Sequence, residues 1–123
     1  MRILFVEPNV EPRTVEIDGS LASMQSLVGG LIEAVYPFND PVALICNDEG
    51  KLIGLPQNRP LKHLETGEIY DIVYGTFFLC SAPADSEHFE SLSDDLIEKY
   101  REIFALSKLV CTDCGEEFPK DEL

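Results

Sequence analysis

The sequence predicts an α+β domain in which a predominantly antiparallel sheet of five or six strands is accompanied by two helices. Short apolar or alternating runs recur through residues 1–81, each closed by glycine, proline, asparagine or aspartate, which is the punctuation of strands joined by tight turns. Two other stretches repeat their apolar residues at helical spacing, each behind a serine suited to an N-cap. The run Asn47-Asp48-Glu49-Gly50 between apolar segments is a hairpin signal.

Taken in order, Arg2 to Glu7 has a buried-strand composition (Ile3, Leu4, Phe5, Val6), and Pro8 to Pro12 is turn chemistry. Thr14 to Asp18 alternates apolar and polar residues like a half-buried strand, so the two form a hairpin. Gly19-Ser20 stops that strand and offers Ser20 as a cap. Leu21, Met24, Leu27 and Val28 then mark a helix ended by Gly29-Gly30. Leu31 to Tyr36 reads as a third strand, Pro37 to Pro41 as a turn and Val42 to Cys46 as a fourth strand. After the Asn-Asp-Glu-Gly turn, Lys51-Leu52-Ile53 is expected to return antiparallel until Gly54-Leu55-Pro56 breaks it.

Leu61 to Glu68 reads as loop or a short helical turn around His63. Ile69 to Ser81 is the most strand-like segment, expected at the centre of the sheet, with Gly75 marking a bulge or a close backbone approach. Ala82 to Glu90 is an acidic linker. Ser93 caps the last helix, Leu92 and Ile97 form a hydrophobic staple, and Asp94 and Asp95 lie at the positive end of its dipole. Its stripe of Leu96, Ile97, Tyr100, Ile103 and Phe104 is expected to pack on the sheet. Residues 1–107 are thus read as one domain, with a core at 1–81, a linker at 82–91 and a helix at 92–107, followed by a Cys-x-x-Cys tail at 108–123.

The length of 123 residues suits one core rather than two. The composition, 45% hydrophobic and 26% charged, is that of a globular chain. No apolar run approaches the ~20 residues of a membrane span, and Glu7 and Pro8 interrupt the first residues too early for a signal peptide. A cytoplasmic protein is expected. Lys120-Asp121-Glu122-Leu123 spells an endoplasmic-reticulum retention signal, which in such a chain is read as coincidence. The formal net charge of -14 disfavours direct nucleic-acid binding, because that affinity comes mainly from cations. Two readings of the acidity stand: a solvated surface that aids solubility, or a face that docks on a basic partner or imitates nucleic acid.

The segments Ile17-Asp18-Gly19-Ser20-Leu21, Leu27 to Glu33, Asn47 to Leu52, Leu55 to Arg59 and Gly75-Thr76-Phe77-Phe78 resemble the domain of unknown function 3846 family. The resemblance covers about residues 1–81, and the final helix fits the extension seen in many members. It implies a small protein carried by bacteria, phages or conjugative elements, with no assigned activity, cofactor or catalytic residue. The family's Asn-x-x-Gly turn and Asn-Arg pair correspond to Asn47, Gly50, Asn58 and Arg59. The first thirty residues also resemble the strand, strand, helix opening of β-grasp domains, an analogy of fold that carries no function.

Asn47, Glu49, Asn58 and Arg59 are the candidate ligand-binding residues, expected to converge at one end of the sheet. Amides and a guanidinium can read a carboxylate, phosphate or nucleobase edge directionally. The competing reading makes both asparagines turn formers and Arg59 a tie to its own loop through Glu49 or Asp48. Cys111-Thr112-Asp113-Cys114-Gly115 looks like one knuckle of a zinc ribbon, a half site that needs two further ligands. A metal-free tail and a redox pair are the alternatives. Cys46 and Cys80 read as small core residues, His63 and His88 as exposed structural histidines, and Glu33 and Glu16 as ordinary outward charges.

No nucleophile and base stand at diagnostic spacing, so no catalytic residue is assigned and the protein is expected not to be an enzyme. The expected role is a non-enzymatic interaction or regulatory protein of a mobile element or phage, a modulator of host defence, with a protein partner and no membrane. It would act as a monomer or homodimer. The alternative is a binder of a nucleotide-like or anionic metabolite.

Overall fold

A computed structural model of the chain describes residues 1–63 and 66–106. The elements follow in the order β1 (Arg2–Val6), β2 (Arg13–Glu16), α1 (Leu21–Val28), β3 (Ile32–Val35), β4 (Val42–Asn47), β5 (Gln57–Lys62), β6 (Ile69–Tyr74), β7 (Phe77–Ser81) and α2 (Asp94–Ile103). Five strands make one sheet in the order β2-β1-β7-β4-β3, every pairing antiparallel, and β5 pairs with β6 as a separate two-stranded ribbon. The α+β class and the strand, strand, helix opening are as read from the sequence. The seven strands divide between two sheets.

Alternation of side chains gives the five-stranded sheet two buried faces. Ile3, Phe5, Ala43, Ile45, Phe78 and Cys80 point to one side and pack on Met24 and Val28 of α1. Leu4, Val6, Val42, Leu44, Phe77 and Leu79 point to the other, where α2 contributes Ile97, Tyr100 and the following Phe104, and the ribbon contributes Leu61 and Val73. Strands covered on both faces need continuous apolar runs rather than alternating ones. That is why β1, β4 and β7 were legible.

Both helices start where their caps place them. Ser20 Oγ accepts from the Ser23 amide at 3.1 Å, and Ser93 Oγ accepts from Leu96 at 3.3 Å. Gly29 ends α1 with φ 81°, its amide and that of Gly30 returning to the Gln25 carbonyl. Leu92 and Ile97, the predicted staple, are both buried. Each large apolar side chain α2 lays on the sheet contributes about 1.5–3 kcal/mol.

Three expectations are corrected. Lys51-Leu52-Ile53 is no strand: Ile53 donates to Glu49 and Leu55 to Gly50, each at 3.0 Å, curling residues 48–55 into consecutive turns. Both edges of β4 are already taken by β3 and β7, so no neighbour is left for a returning strand. Ile69 to Ser81 is two strands, because Gly75 adopts φ 87° between them, and only β7 is central. Finally, residues 57–62 form β5, a strand that polar content and Pro60 had hidden.

The 82–91 linker is anchored at its far end: Ser81 and Glu90 exchange two backbone hydrogen bonds of 2.9 Å, and Leu92 donates to the Arg2 carbonyl. Among the described residues no helix is long and apolar enough to cross a membrane.

Candidate functional site

The four candidate binding residues fall into two places. Asn58 and Arg59 lie inside the fold. Asn58 Nδ2 donates to the carbonyls of Val6 (3.0 Å) and Gly75 (2.9 Å), which uses both amide hydrogens, and its Oδ1 accepts from Arg59 Nη1 at 2.8 Å. Arg59 is fully buried. Its Nε donates to the Phe104 carbonyl (2.8 Å), Nη2 to that of Val10 (2.7 Å) and Nη1, more weakly, to that of Glu7 (3.4 Å). The guanidinium therefore joins β5, the turn after β1 and the end of α2. Burial draws its pKa down to about 10, opposed by Glu11, and it stays cationic at neutral pH.

This makes Arg59 a tie, as the competing sequence reading held, but through backbone carbonyls and Asn58 rather than through Glu49 or Asp48. Four of the five guanidinium N–H groups are engaged in this way, and the side chain has no solvent exposure. The Asn-Arg pair is thus a structural device, built where irregular backbone would otherwise bury unpaired carbonyls.

Asn47 and Glu49 belong to the other place. Asn47 ends β4, donates from Nδ2 to the Val28 carbonyl (3.2 Å) and accepts the Glu49 amide at Oδ1 (2.8 Å), an Asx turn that starts the loop. Gly30 leaves room for this amide, since a Cβ there would sit 2.9 Å from Asn47 Nδ2 and force it to shift. Gly50 likewise lies against the Tyr74 carbonyl, where a Cβ would approach to 2.7 Å. These contacts press the 48–52 loop onto β6.

Between β3, that loop and β6 lies a groove of about 300 Å³. Its floor is apolar, with Val35, Leu44, Cys46 and Val73, and its rim carries the carboxylates of Glu33, Asp48, Glu49 and Asp71. Among the described residues Lys51 is the one cation lining it, and Asp71 already holds it: Nζ to Oδ1 is 2.7 Å, which lowers the Asp71 carboxyl and raises the lysine. The Lys51 ammonium lies 5.8 Å from the Tyr74 ring centre. Burial pushes the Cys46 thiol up to about 11, with Glu33, Asp48 and Asp71 adding to the rise, a sign of negative potential in the groove.

Glu33, Asp48 and Asp71 were not singled out as site residues from the sequence. They come from three separate elements, and an isolated acid on a strand has no local signature.

Cys80 is buried and its thiol pushed up to about 12, as suits a core residue. His63 stacks on Tyr70 at 4.7 Å beside a second cavity of about 220 Å³ lined by Phe38, Leu61 and Ile103. Cys111 and Cys114 lie outside the described residues. Among the described residues no group of three or more potential ligands is placed to hold a metal.

Fold and groove together define a small antiparallel α+β domain with an acidic, apolar-floored recess at one sheet edge. The chain belongs to the family described as domain of unknown function DUF3846, whose model matches residues 1–105 and so takes in α2 as well as the core. No curated protein and no solved structure matches it.

Proposed function

We infer that this is a non-enzymatic interaction protein that binds a basic protein partner through the groove between β3, the 48–52 loop and β6. The carrying observation is the groove itself, which among the described residues has four carboxylates around an apolar floor and a single lysine, already paired. Among the other described cations, Arg2, Arg13, Lys99 and Arg101 are engaged with Asp94, Glu7, Asp40 and Glu98, Arg59 is buried, and Lys62, exposed at the end of β5, does not line the groove. A chain with net charge -14 therefore offers an incoming cation unneutralised acid. Complementary charge of this kind steers association and selects partners.

The test is retention of a basic protein by the tagged chain in a bacterial host, wild type against Glu33→Lys/Glu49→Lys. Both positions are exposed. Loss of the partner with folding intact supports the reading, and equal retention rejects it. The mobile-element setting and modulation of host defence rest on the family resemblance alone; failure to protect a phage or plasmid against any defence system tested removes that part. Zinc at Cys111 and Cys114 is a separate proposal, rejected if the purified protein carries less than about half an equivalent per chain.

A further inference from the structure

We propose that the partner's segment binds as an added strand on β3, in extended form and with basic and apolar residues alternating. The proposal rests on the reading of the groove as a site for a basic partner and names the mode of binding. Among the described residues β3 has one neighbour, β4, so its other side presents unpaired backbone groups. The opposite edge of the sheet, β2, is guarded by Pro12 before it and by Arg13, Thr14 and Glu16 along it. β3, equally short, carries Glu33 as its one charged residue, with Pro37 two residues beyond its end. Edges left this plain are templates for another strand.

The alternation of β3 fixes what the added strand must look like. Ile32 and Ala34 face the α1 side and pack on its core. Glu33 and Val35 face the other side and line the groove. A strand laid alongside, about 4.8 Å away, would place every second residue next to the groove carboxylates and the intervening ones beside Ile32 and Ala34. Lysine or arginine suits the first set, and small or branched apolar residues suit the second. Leu31 and Tyr36, 63% and 61% exposed, bracket the strand, and Leu52, 86% exposed, projects from the groove's loop. They supply the apolar contact that charge alone would lack.

The test uses the full chain and a fluorescent peptide of alternating lysine and valine, about eight residues long so that it outspans an ordinary strand. Three companions are needed: the same peptide with glutamate for lysine, one N-methylated at every residue so that neither edge can donate, and the Glu33→Lys/Glu49→Lys protein, with circular dichroism confirming its fold. The expected result is binding of the lysine peptide that weakens by roughly tenfold or more in each of these three arms.

Binding that is lost on charge reversal but indifferent to N-methylation overturns the added strand while leaving the basic-partner reading in place. No binding of the lysine peptide at moderate salt overturns both. Self-association of the protein that the peptide does not compete away would put a second copy on β3 and equally overturn the proposal.

Discussion

Arg59 Nε donates to the carbonyl oxygen of Phe104 across 2.8 Å, so a strand side chain closes the C-terminal end of α2. The carbonyls at a helix end have no intrahelical donor, and this one is satisfied from 45 residues away. The same guanidinium satisfies Val10. Replacing Arg59 with alanine strands those acceptors and opens a void, which predicts a loss of roughly 3–4 kcal/mol. Lysine should restore only part of it, because one ammonium cannot reproduce the fork. Urea midpoints of the two variants check this, and a change below about 1 kcal/mol for Arg59→Ala would refute the tie.

A second prediction concerns pH. Asp40 Oδ2 accepts from Lys99 Nζ and from Tyr100 Oη, both at 2.6 Å. Lys99 first and Tyr100 second hold its carboxyl below the ordinary 3.8. A depressed carboxyl binds fewer protons folded than unfolded, so its contribution is present above 3.8 and is lost as pH falls through the folded value. Tyr100 is raised above 10.0, by burial first and then by Asp40. Its contribution is present below 10.0 and is lost as pH rises. Stability measured against pH should therefore fall on both sides of a plateau, and Tyr100→Phe should flatten the alkaline fall.

Two glycines separate conformational from steric cost. Gly54 has φ 76° with nothing near its missing Cβ, whereas Gly75 has φ 87° and a Cβ there would meet Leu55 Cδ1 at 2.6 Å. Gly54→Ala is expected to cost about 1–2 kcal/mol, the left-handed penalty alone. Gly75→Ala adds overpacking of about 1–3 kcal/mol. Gly75→Ala/Leu55→Ala should recover part of the added cost if the clash is its source, and a double-mutant cycle on thermal unfolding reads that coupling.

Local sequence pattern encodes part of this arrangement and not the rest. The strands β1 and β4 and both capped helices were legible, and β7 as the end of one longer run, because their residues answer to their immediate environment: two-sided burial, a serine cap, a terminal glycine. The strand β5 was not, since Asn58 and Arg59 point inward to carbonyls that the sequence does not show. Their placement in a recognition edge rested on polarity, and polarity alone does not distinguish a surface group from a buried one that is fully bonded. The loop at 51–53 was misread because a hairpin signal says nothing of whether the neighbouring edge is free. Asn47 and Glu49 were named from the Asn-Asp-Glu-Gly turn signal, and they do stand beside the groove. Its acidic wall was not, because Glu33 and Asp71 come together only through tertiary packing.

The last prediction concerns Cys46, which forms part of the groove floor. Its side chain is buried and its thiol pushed up to about 11, first by burial and then by Glu33, Asp48 and Asp71. Thiolate is the reactive form, so both causes slow alkylation. In the folded protein at neutral pH, iodoacetamide should label Cys46 and Cys80 far more slowly than after denaturation, as peptide mapping by mass spectrometry would read. Glu33→Gln removes one negative neighbour while keeping the side chain's size, and should speed Cys46 labelling but not Cys80 labelling. Equal acceleration at both would mean that the substitution had loosened the sheet, and no acceleration at either would deny Glu33 its part in the groove's potential.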